Sequence, residues 1–344
     1  MLQTSFSTSA DTLAFVRARY PSLAAEAGIE IVQNRVPKVD AATLLPATCA
    51  ADPEKEWCPP GHGDLYATLS GSGRLAELLA AGVRYMFVSN SDNLGATLDL
   101  DLLTHFAQSG APFLMEVCER TENDRKGGHL CVRRADGRLC LRESAQCAEE
   151  DKGAFQDIGR HRFFNTNNLW VRLDALDAQI AAGGGTIRLP TIQNRKTVDP
   201  QDARSAKVVQ LETAMGAAIE CFDGAGAAVV PRTRFAPVKT CADLLMLRSD
   251  AYVLGEDGRP VLADRAKPAP VVTLDPAHFK FVQQLEAATA QGVPSLAACT
   301  RLSVAGPLAF AAGVVFQGSV EVVNRSAETR TVPAGVHTGT VDLS

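Results

Sequence analysis

Apolar positions recur along this chain with two different periods. Leu13 and Val16, behind an Asp11 cap, are spaced for a helix over Asp11–Arg19, and similar spacing predicts helices over Leu75–Ala80 and Leu98–Phe106. Short apolar runs predict strands at Ile29–Val32, Tyr85–Val88 and Phe113–Val117, the second read as a buried strand of a parallel sheet. Leu130–Val132 and Leu139–Leu141 flank Asp136-Gly137, which signals a hairpin. Leu169–Ile180 predicts a helix stopped by Gly183-Gly184-Gly185, and Val208–Phe222 a strand that turns into a helix. Alternating strands and helices point to an α/β fold.

After about residue 300 the period changes. Leu302, Leu308, Val314 and Val320 fall six residues apart, as do Val304, Phe310, Phe316 and Val322, with Gly306, Gly313 and Gly318 near the corners. Period two inside period six predicts a parallel β-helix with one apolar row stacked on each face. An ordinary β-meander would not hold that register over two rows. The register loosens over Thr331–Leu343, after an insertion at Asn324–Glu328, and an open end of the stack offers a surface for self-association. Pro260–Pro270, with Arg, Lys and Asp interspersed, reads as a linker ahead of this module.

Composition narrows the class. The net charge of −5 leaves no basic face for nucleic acid or an anionic membrane. No apolar run approaches the roughly 20 residues needed to span a bilayer, and residues 1–30 lack a signal-peptide pattern. Nine cysteines without a C-x-x-C pair or zinc spacing predict reduced thiols and a cytoplasmic protein. The six histidines are dispersed, which argues against a cysteine nucleophile.

Several segments could carry chemistry. Tyr85–Val88 ends in Ser89, Asn90, Ser91, Asp92 and Asn93, at the strand edge where open α/β sheets place ligands. Asp92 suits Mg2+ held against phosphate oxygens, since a hard cation takes oxygen ligands; the plainer alternative is an Asx-capped turn. Pro59-Pro60-Gly61-His62-Gly63-Asp64 leaves backbone N–H groups open to a base edge or phosphate, or is a Pro-Gly turn. Lys126-Gly127-Gly128 could bring backbone against a sugar, and Glu143 could point from a strand end into the same cleft. As isolated features they also fit a turn and a solvated surface. Asn165, Asn167 and Asn168, set between aromatic residues, offer the paired donors and acceptors that sugar hydroxyls need, or cap a helix ahead of Leu169. Arg232, Arg234 and Lys239 stand around prolines that stiffen the chain; Lys239 either points at an anion or lies on a basic surface.

In this order, five segments resemble the eukaryotic-type UTP–glucose-1-phosphate uridylyltransferase (UDP-glucose pyrophosphorylase) family. They are Pro59–Tyr66, Val88–Thr97, Phe164–Trp170, Gln210–Ile219 and Val230–Lys239. The resemblance implies a glycosyltransferase-A-like (Rossmann-like) mixed α/β sheet over residues 1–260. A linker and C-terminal left-handed parallel β-helix would occupy 261–344, with possible homo-oligomers through that module. It further implies that Gln33 and Gly61 contact uracil and that His62 lies near the phosphates and sugar. Asp92 would hold Mg2+, Gly128, Glu143, Asn165 and Asn167 the glucosyl hydroxyls, and Lys239 the phosphate of glucose 1-phosphate. Glu212 and Trp170 read as structural. UTP and glucose 1-phosphate would give UDP-glucose and pyrophosphate by in-line attack on the α-phosphorus. Two alternatives stay open: a catalytically impaired sugar-nucleotide-binding or assembly subunit, and the same chemistry on another hexose 1-phosphate. The Asn165-Thr166-Asn167-Asn168 run argues against the latter.

The chain departs from the family pattern at its start. A Gly-rich phosphate loop precedes these motifs in the family, whereas Met1–Phe6 aligns with the family's second strand. The expectation is a chain lacking that loop with its flanking strand and helix, whose reading frame continues upstream. A degenerate copy, or a chain that works with a partner, is the lesser expectation. Without the loop, sheet edges would be exposed and the rate would fall by several orders of magnitude, as one preorganised donor can contribute about 10²–10³.

Overall fold

The computed structural model describes residues 1–121, 124–125, 127–256, 258–264 and 267–344. They form two compact units, Met1–Ser89 with Leu98–Val230, and Asn90–Thr97 with Pro231–Ser344. The architecture is mixed α/β with several sheets.

The first unit is organised by one long strand, Phe163–Arg172. One of its edges pairs antiparallel with Phe113–Glu119, which in turn pairs in parallel with Gly226–Val229. Its other edge is divided. Tyr85–Val88 takes Leu169–Arg172, and the hairpin of His129–Val132 and Leu139–Arg142 joins at Phe164. Because side chains alternate across a strand, Phe113, Met115, Val117, Leu169 and Val171 enter one core with Leu65, Tyr66, Leu69, Leu176 and Ile219. Leu114 and Trp170 turn to the opposite face beneath Phe106. Phe106 comes from the helix Leu100–Ser109, whose first turn is capped by the Asp99 carboxylate, which accepts from the N–H groups of Asp101 and Leu102. A separate three-stranded sheet joins Thr191–Thr197, Lys207–Thr213 and Val39–Asp40.

Three expectations change here. Tyr85–Val88 is a strand, but it is half-buried and antiparallel, because it meets only the C-terminal half of the long strand. Leu169–Arg172 continues that strand, and the helix begins at Leu173 and runs to Ala182. The Leu-Trp-Val run is paired on both edges and buried on both faces, which outweighs its helical spacing. The Asn-rich run is therefore mid-strand and caps no helix. The predicted passage from strand to helix at Val208–Phe222 occurs, the second part being a 3-10 helix over Met215–Cys221.

In the second unit, helices Cys241–Arg248 and Val282–Ala288 pack with parallel strands. The first is opened by a reciprocal cap between Thr240 and Asp243. Pro260–Leu262, predicted as linker, pairs with Tyr252–Leu254, so a hairpin occupies the start of that segment; residues 265 and 266 lie outside the described residues. Strands Val271–Leu274, Cys299–Ala305, Val314–Val323 and Gly335–Asp342 form a parallel sheet, with Leu308–Phe310 parallel to Arg330–Val332 beside it. Leu302 lies opposite Val320 and Val304 opposite Val322, so the chain returns after three six-residue steps. All eight apolar residues of the two rows are buried. Among the described residues no helix is long and apolar enough to cross a membrane.

Phe316 is fully buried and meets Phe310 edge-on, with ring centroids 6.1 Å apart. Phe316→Ala is expected to destabilise this unit by about 3–5 kcal/mol. Urea unfolding followed by far-UV circular dichroism reads the loss. A shift below about 1 kcal/mol would mean that the row packs loosely.

Candidate functional site

The first unit holds seven of the nine residues singled out in the sequence. Gly61 has φ +85°, a left-handed conformation that favours glycine. A Cβ there would stand 2.6 Å from the Thr213 carbonyl oxygen, and one on Gly63 would stand 2.5 Å from Thr213 Oγ1. The loop can thus lie flat against the end of Lys207–Thr213, where the Thr213 N–H donates to the Pro60 carbonyl at 2.8 Å. His62 follows, and its Nδ1 accepts the Met215 N–H at 3.0 Å. That bond assigns the ring proton of neutral His62 to Nε2. The Tyr66 hydroxyl donates to the Met215 carbonyl from inside the core, and burial pushes its phenol well above the ordinary tyrosine range.

Asp64 ties in the segment bearing Gln33. Its carboxylate accepts from the Asn34 backbone N–H at 2.7 Å, from Asn34 Nδ2 at 3.0 Å, and from the Thr68 hydroxyl at 3.0 Å. The Gln33 N–H donates to the Thr4 carbonyl, while its buried Oε1 has no hydrogen-bond partner. Sequence reasoning passed over Asp64 and Asn34 as positioning residues. The signal was present, because Asp64 closes the Pro59–Asp64 loop and Asn34 adjoins Gln33.

The sugar candidates also come together. A Cβ on Gly128 would stand 2.6 Å from the Glu143 carboxylate, which places that carboxylate directly against the Gly128 backbone. The Gly128 carbonyl accepts the Asn165 N–H at 3.3 Å. Asn165 Oδ1 accepts the Asn167 N–H at 2.9 Å, and Asn165 Nδ2 donates to Asn167 Oδ1 at 2.8 Å, which locks the two amides together. Asn167 has φ +57°, an αL position that asparagine tolerates. Gly216 faces this pair, since its absent Cβ would lie 2.9 Å from Asn165 Nδ2. Gly216 is a third residue, after Asp64 and Asn34, that the sequence did not reveal as part of the site. Lys126 lies outside the described residues.

Electrostatics around Gly128 are dominated by burial. His129 is fully buried, stacks on His161 with centroids 4.1 Å apart, and has Arg120 Nη1 3.4 Å from its Nδ1. Burial first, then His161, Arg120 and Arg142, push its pKa down to about 3. Across the same hairpin, the sulfurs of Cys131 and Cys140 are 3.1 Å apart, and burial with the neighbouring thiol pushes Cys140 up to about 12. A thiol so far from ionisation is a poor nucleophile.

Asp92 and Lys239 belong to the second unit, where their segments are bonded to each other. The Asp92 carbonyl accepts the Val238 N–H at 2.9 Å, and Leu94 donates to the Ala236 carbonyl at 3.1 Å. Buried Asn93 spans the pair, accepting from the Gly95 and Ala236 N–H groups and donating to the Arg234 carbonyl. A Cβ on Gly95 would stand 2.5 Å from the Thr233 carbonyl oxygen, so glycine permits the close approach. Asp92 Oδ1 is buried without a hydrogen-bond partner. Lys239 is exposed, and its backbone N–H joins the Asp243 carboxylate that caps the following helix. Among the described residues there is no group of three or more His, Cys, Asp or Glu side chains that could hold a metal.

A family model described as UTP–glucose-1-phosphate uridylyltransferase matches residues 1–317. The Saccharomyces cerevisiae UTP–glucose-1-phosphate uridylyltransferase is 40% identical over 304 residues, covering 88% of this chain. The chain spans 60% of the length of that relative. Among solved structures, one described as UDP-glucose phosphorylase from Trypanosoma brucei is 50% identical with a TM-score of 0.93, covering 100% of this chain and 74% of that one. A variant of UDP-glucose pyrophosphorylase from Leishmania major, solved in complex with UDP-glucose, is 52% identical with a TM-score of 0.89. It covers 99% of this chain and 74% of that one.

The depressed pKa of His129 sets a pH dependence. Its ordinary value is 6.5, so below that pH the unfolded chain takes up a proton that the folded chain refuses until about pH 3. The stability this group contributes is fully present above about pH 6.5 and is lost as pH falls toward 3. The slope is at most about 1.4 kcal/mol per pH unit for one proton. Urea unfolding at pH 7.5 and 5.0 is expected to show a smaller loss for His129→Gln than for the unaltered chain. Equal losses would assign the slope to other groups.

Proposed function

The chain belongs to the UTP–glucose-1-phosphate uridylyltransferase family, and from that membership we propose that it forms UDP-glucose and pyrophosphate from UTP and glucose 1-phosphate. The observation that carries this reading lies within the first unit. The Gly61–His62 loop and the Asn165–Asn167 pair, to which Gly128 is bonded through the Asn165 N–H, both lie against one backbone segment, Thr213–Gly216. A nucleotide-facing loop and a set of paired amides held by one strut match a ligand in which a nucleotide is joined to a hexose. The unpartnered Gln33 Oε1 is an acceptor suited to the uracil N–H, and the Asn34–Asp64 bond ties its segment to the Gly61–His62 loop.

Asp92 is the residue we assign to Mg2+. A buried carboxylate oxygen with no donor fits a hard cation, and one protein carboxylate completed by phosphate oxygens is a common way of holding magnesium. The cation would supply charge neutralisation on the phosphates. Lys239 would balance the charge developing at the α-phosphorus. In the transfer, a phosphate oxygen of glucose 1-phosphate bonds to that phosphorus and the bond to the bridging oxygen breaks. Pyrophosphate then leaves with the electron pair. The attacking group is already anionic, so no protein base is required, and the chain's contribution is positioning and charge neutralisation.

The finer fold follows the same reading. We assign a glycosyltransferase-A-like sheet and the chemistry to residues 1–260, and a linker with a left-handed parallel β-helix to 261–344. The eighteen-residue return of parallel strands supports a β-helix. Its last strand, Gly335–Asp342, would offer an edge for homo-oligomers. Nine free thiols support a cytoplasmic setting.

Pyrophosphate release from UTP and glucose 1-phosphate, with and without Mg2+, tests the reading on residues 1–344 and on a form extended at its N-terminus by a family phosphate loop. Magnesium-dependent release by either form is the expected outcome. Release by neither, without UDP-glucose binding, would sink the proposal. In whichever form is active, Lys239→Ala should lower kcat by about 10²–10³ while the Kd for UDP-glucose changes much less. Equal losses in kcat and binding would make Lys239 a binding residue only.

A further inference from the structure

Between Asn165 and Leu169 the long strand slips out of register with its neighbour. Asn165 pairs with Val117 and Leu169 with Met115, so Thr166, Asn167 and Asn168 all stand opposite Glu116 alone. Three residues against one leave backbone and side-chain polar groups that the ladder cannot satisfy, and Thr166 and Asn168 are buried. Glu116, itself fully buried, takes up much of that demand. Its carbonyl accepts the Thr166 hydroxyl at 2.7 Å. Its carboxylate accepts Asn168 Nδ2 at Oε2 and Trp170 Nε1 at Oε1, both at 2.9 Å. The Thr166 hydroxyl also accepts the Asn168 N–H at 3.2 Å.

The bulge matters because it turns Asn167 into the αL conformation and lets its amide meet that of Asn165. A regular strand would send the side chains of 165 and 167 to one face in extended geometry, without the bond from the Asn167 N–H to Asn165 Oδ1. Residues 116, 168 and 170 form the clamp behind the bulge, while 165 and 167 face Gly216 in front.

We propose that Glu116 is the positioning residue of the sugar site: its carboxylate and carbonyl hold the bulge that presents Asn165 and Asn167 to the hexose. This rests on the nucleotidyltransferase reading. A group acting only on the sugar moiety changes the affinity for UDP-glucose and leaves that for UDP alone. A residue that merely stabilises the fold changes the folded fraction and leaves the ratio of the two affinities unmoved.

Calorimetric titration of the chain with UDP-glucose and with UDP, each with Mg2+, separates the two. Glu116→Leu is expected to raise the Kd for UDP-glucose about tenfold or more, and that for UDP less than twofold, as loss of buried acceptors is costly. Glu116→Gln should recover most of the loss. It keeps an oxygen for Trp170, and its NH2 can donate to Asn168 once that amide turns over. Thr166→Val, nearly isosteric, removes the bond to the Glu116 carbonyl together with the one its hydroxyl accepts from the Asn168 N–H, and should shift the ratio several-fold in the same direction. If Glu116→Leu fails to fold, Thr166→Val decides the matter. An unmoved ratio in the folded variants overturns the inference while leaving the family reading intact. Failure of the unaltered chain to bind either ligand overturns both.

Discussion

The close approach of the Pro59–Asp64 loop to the end of the strand Lys207–Thr213 is the contact on which the rest of the first unit's site depends. It exists because two glycines have no Cβ: at Gly61 and Gly63 an added carbon would fall 2.5–2.6 Å from Thr213 atoms. With the backbones this close, Thr213 can bond Pro60, and Met215 can donate to His62 and accept from Tyr66. One residue further, Gly216 faces the Asn165–Asn167 pair. Four consecutive residues therefore set the spacing between the Gly61–His62 loop and the Asn165–Asn167 bulge. Tyr66 anchors that strut in the core, so the spacing is held by packing as well as by hydrogen bonds.

The same device serves the second unit by different means. Asn90–Thr97 and Pro231–Lys239 are far apart in sequence, yet backbone bonds and the buried Asn93 amide join them into one body. Prolines at 231 and 237 limit the backbone of the second segment, and Gly95 lets the first lie against it. Asp92 and Lys239 are thus set by the paired backbones of the segments that carry them. What distinguishes Asp92 within that body is the buried oxygen that receives no donor, a costly arrangement that folding alone does not explain.

Several other buried polar side chains are bonded within the protein. The Glu116 carboxylate meets Asn168 and Trp170, the Asp64 carboxylate meets Asn34 and Thr68, and the Arg120 guanidinium reaches the carbonyls of Asp124, Arg125, Phe155 and His161. Such networks specify one arrangement because any slip leaves a donor or acceptor unpaired in a low-dielectric interior. They sit around the bulge, the loop and the hairpin base, where regular secondary structure is interrupted.

By itself the sequence determined the elements whose pattern is local. Val16, Phe106 and Phe113 lie buried in predicted helices and strands, Asp136-Gly137 turns its hairpin, and the six-residue rows from Leu302 to Val322 are buried in parallel strands. Ordered motifs such as Phe164–Trp170 also carried the family. Tertiary structure alone decided what depends on partners distant in the chain. Leu169–Arg172 has helical spacing but becomes strand because two neighbours claim its edges. Pro260–Leu262 joins a hairpin because Tyr252–Leu254 is there to pair with it. The roles of Asp64, Glu116 and Gly216 were invisible for the same reason. A carboxylate or a missing Cβ acquires meaning only from the atoms it faces, and spacing along one segment does not encode which distant segment will supply them.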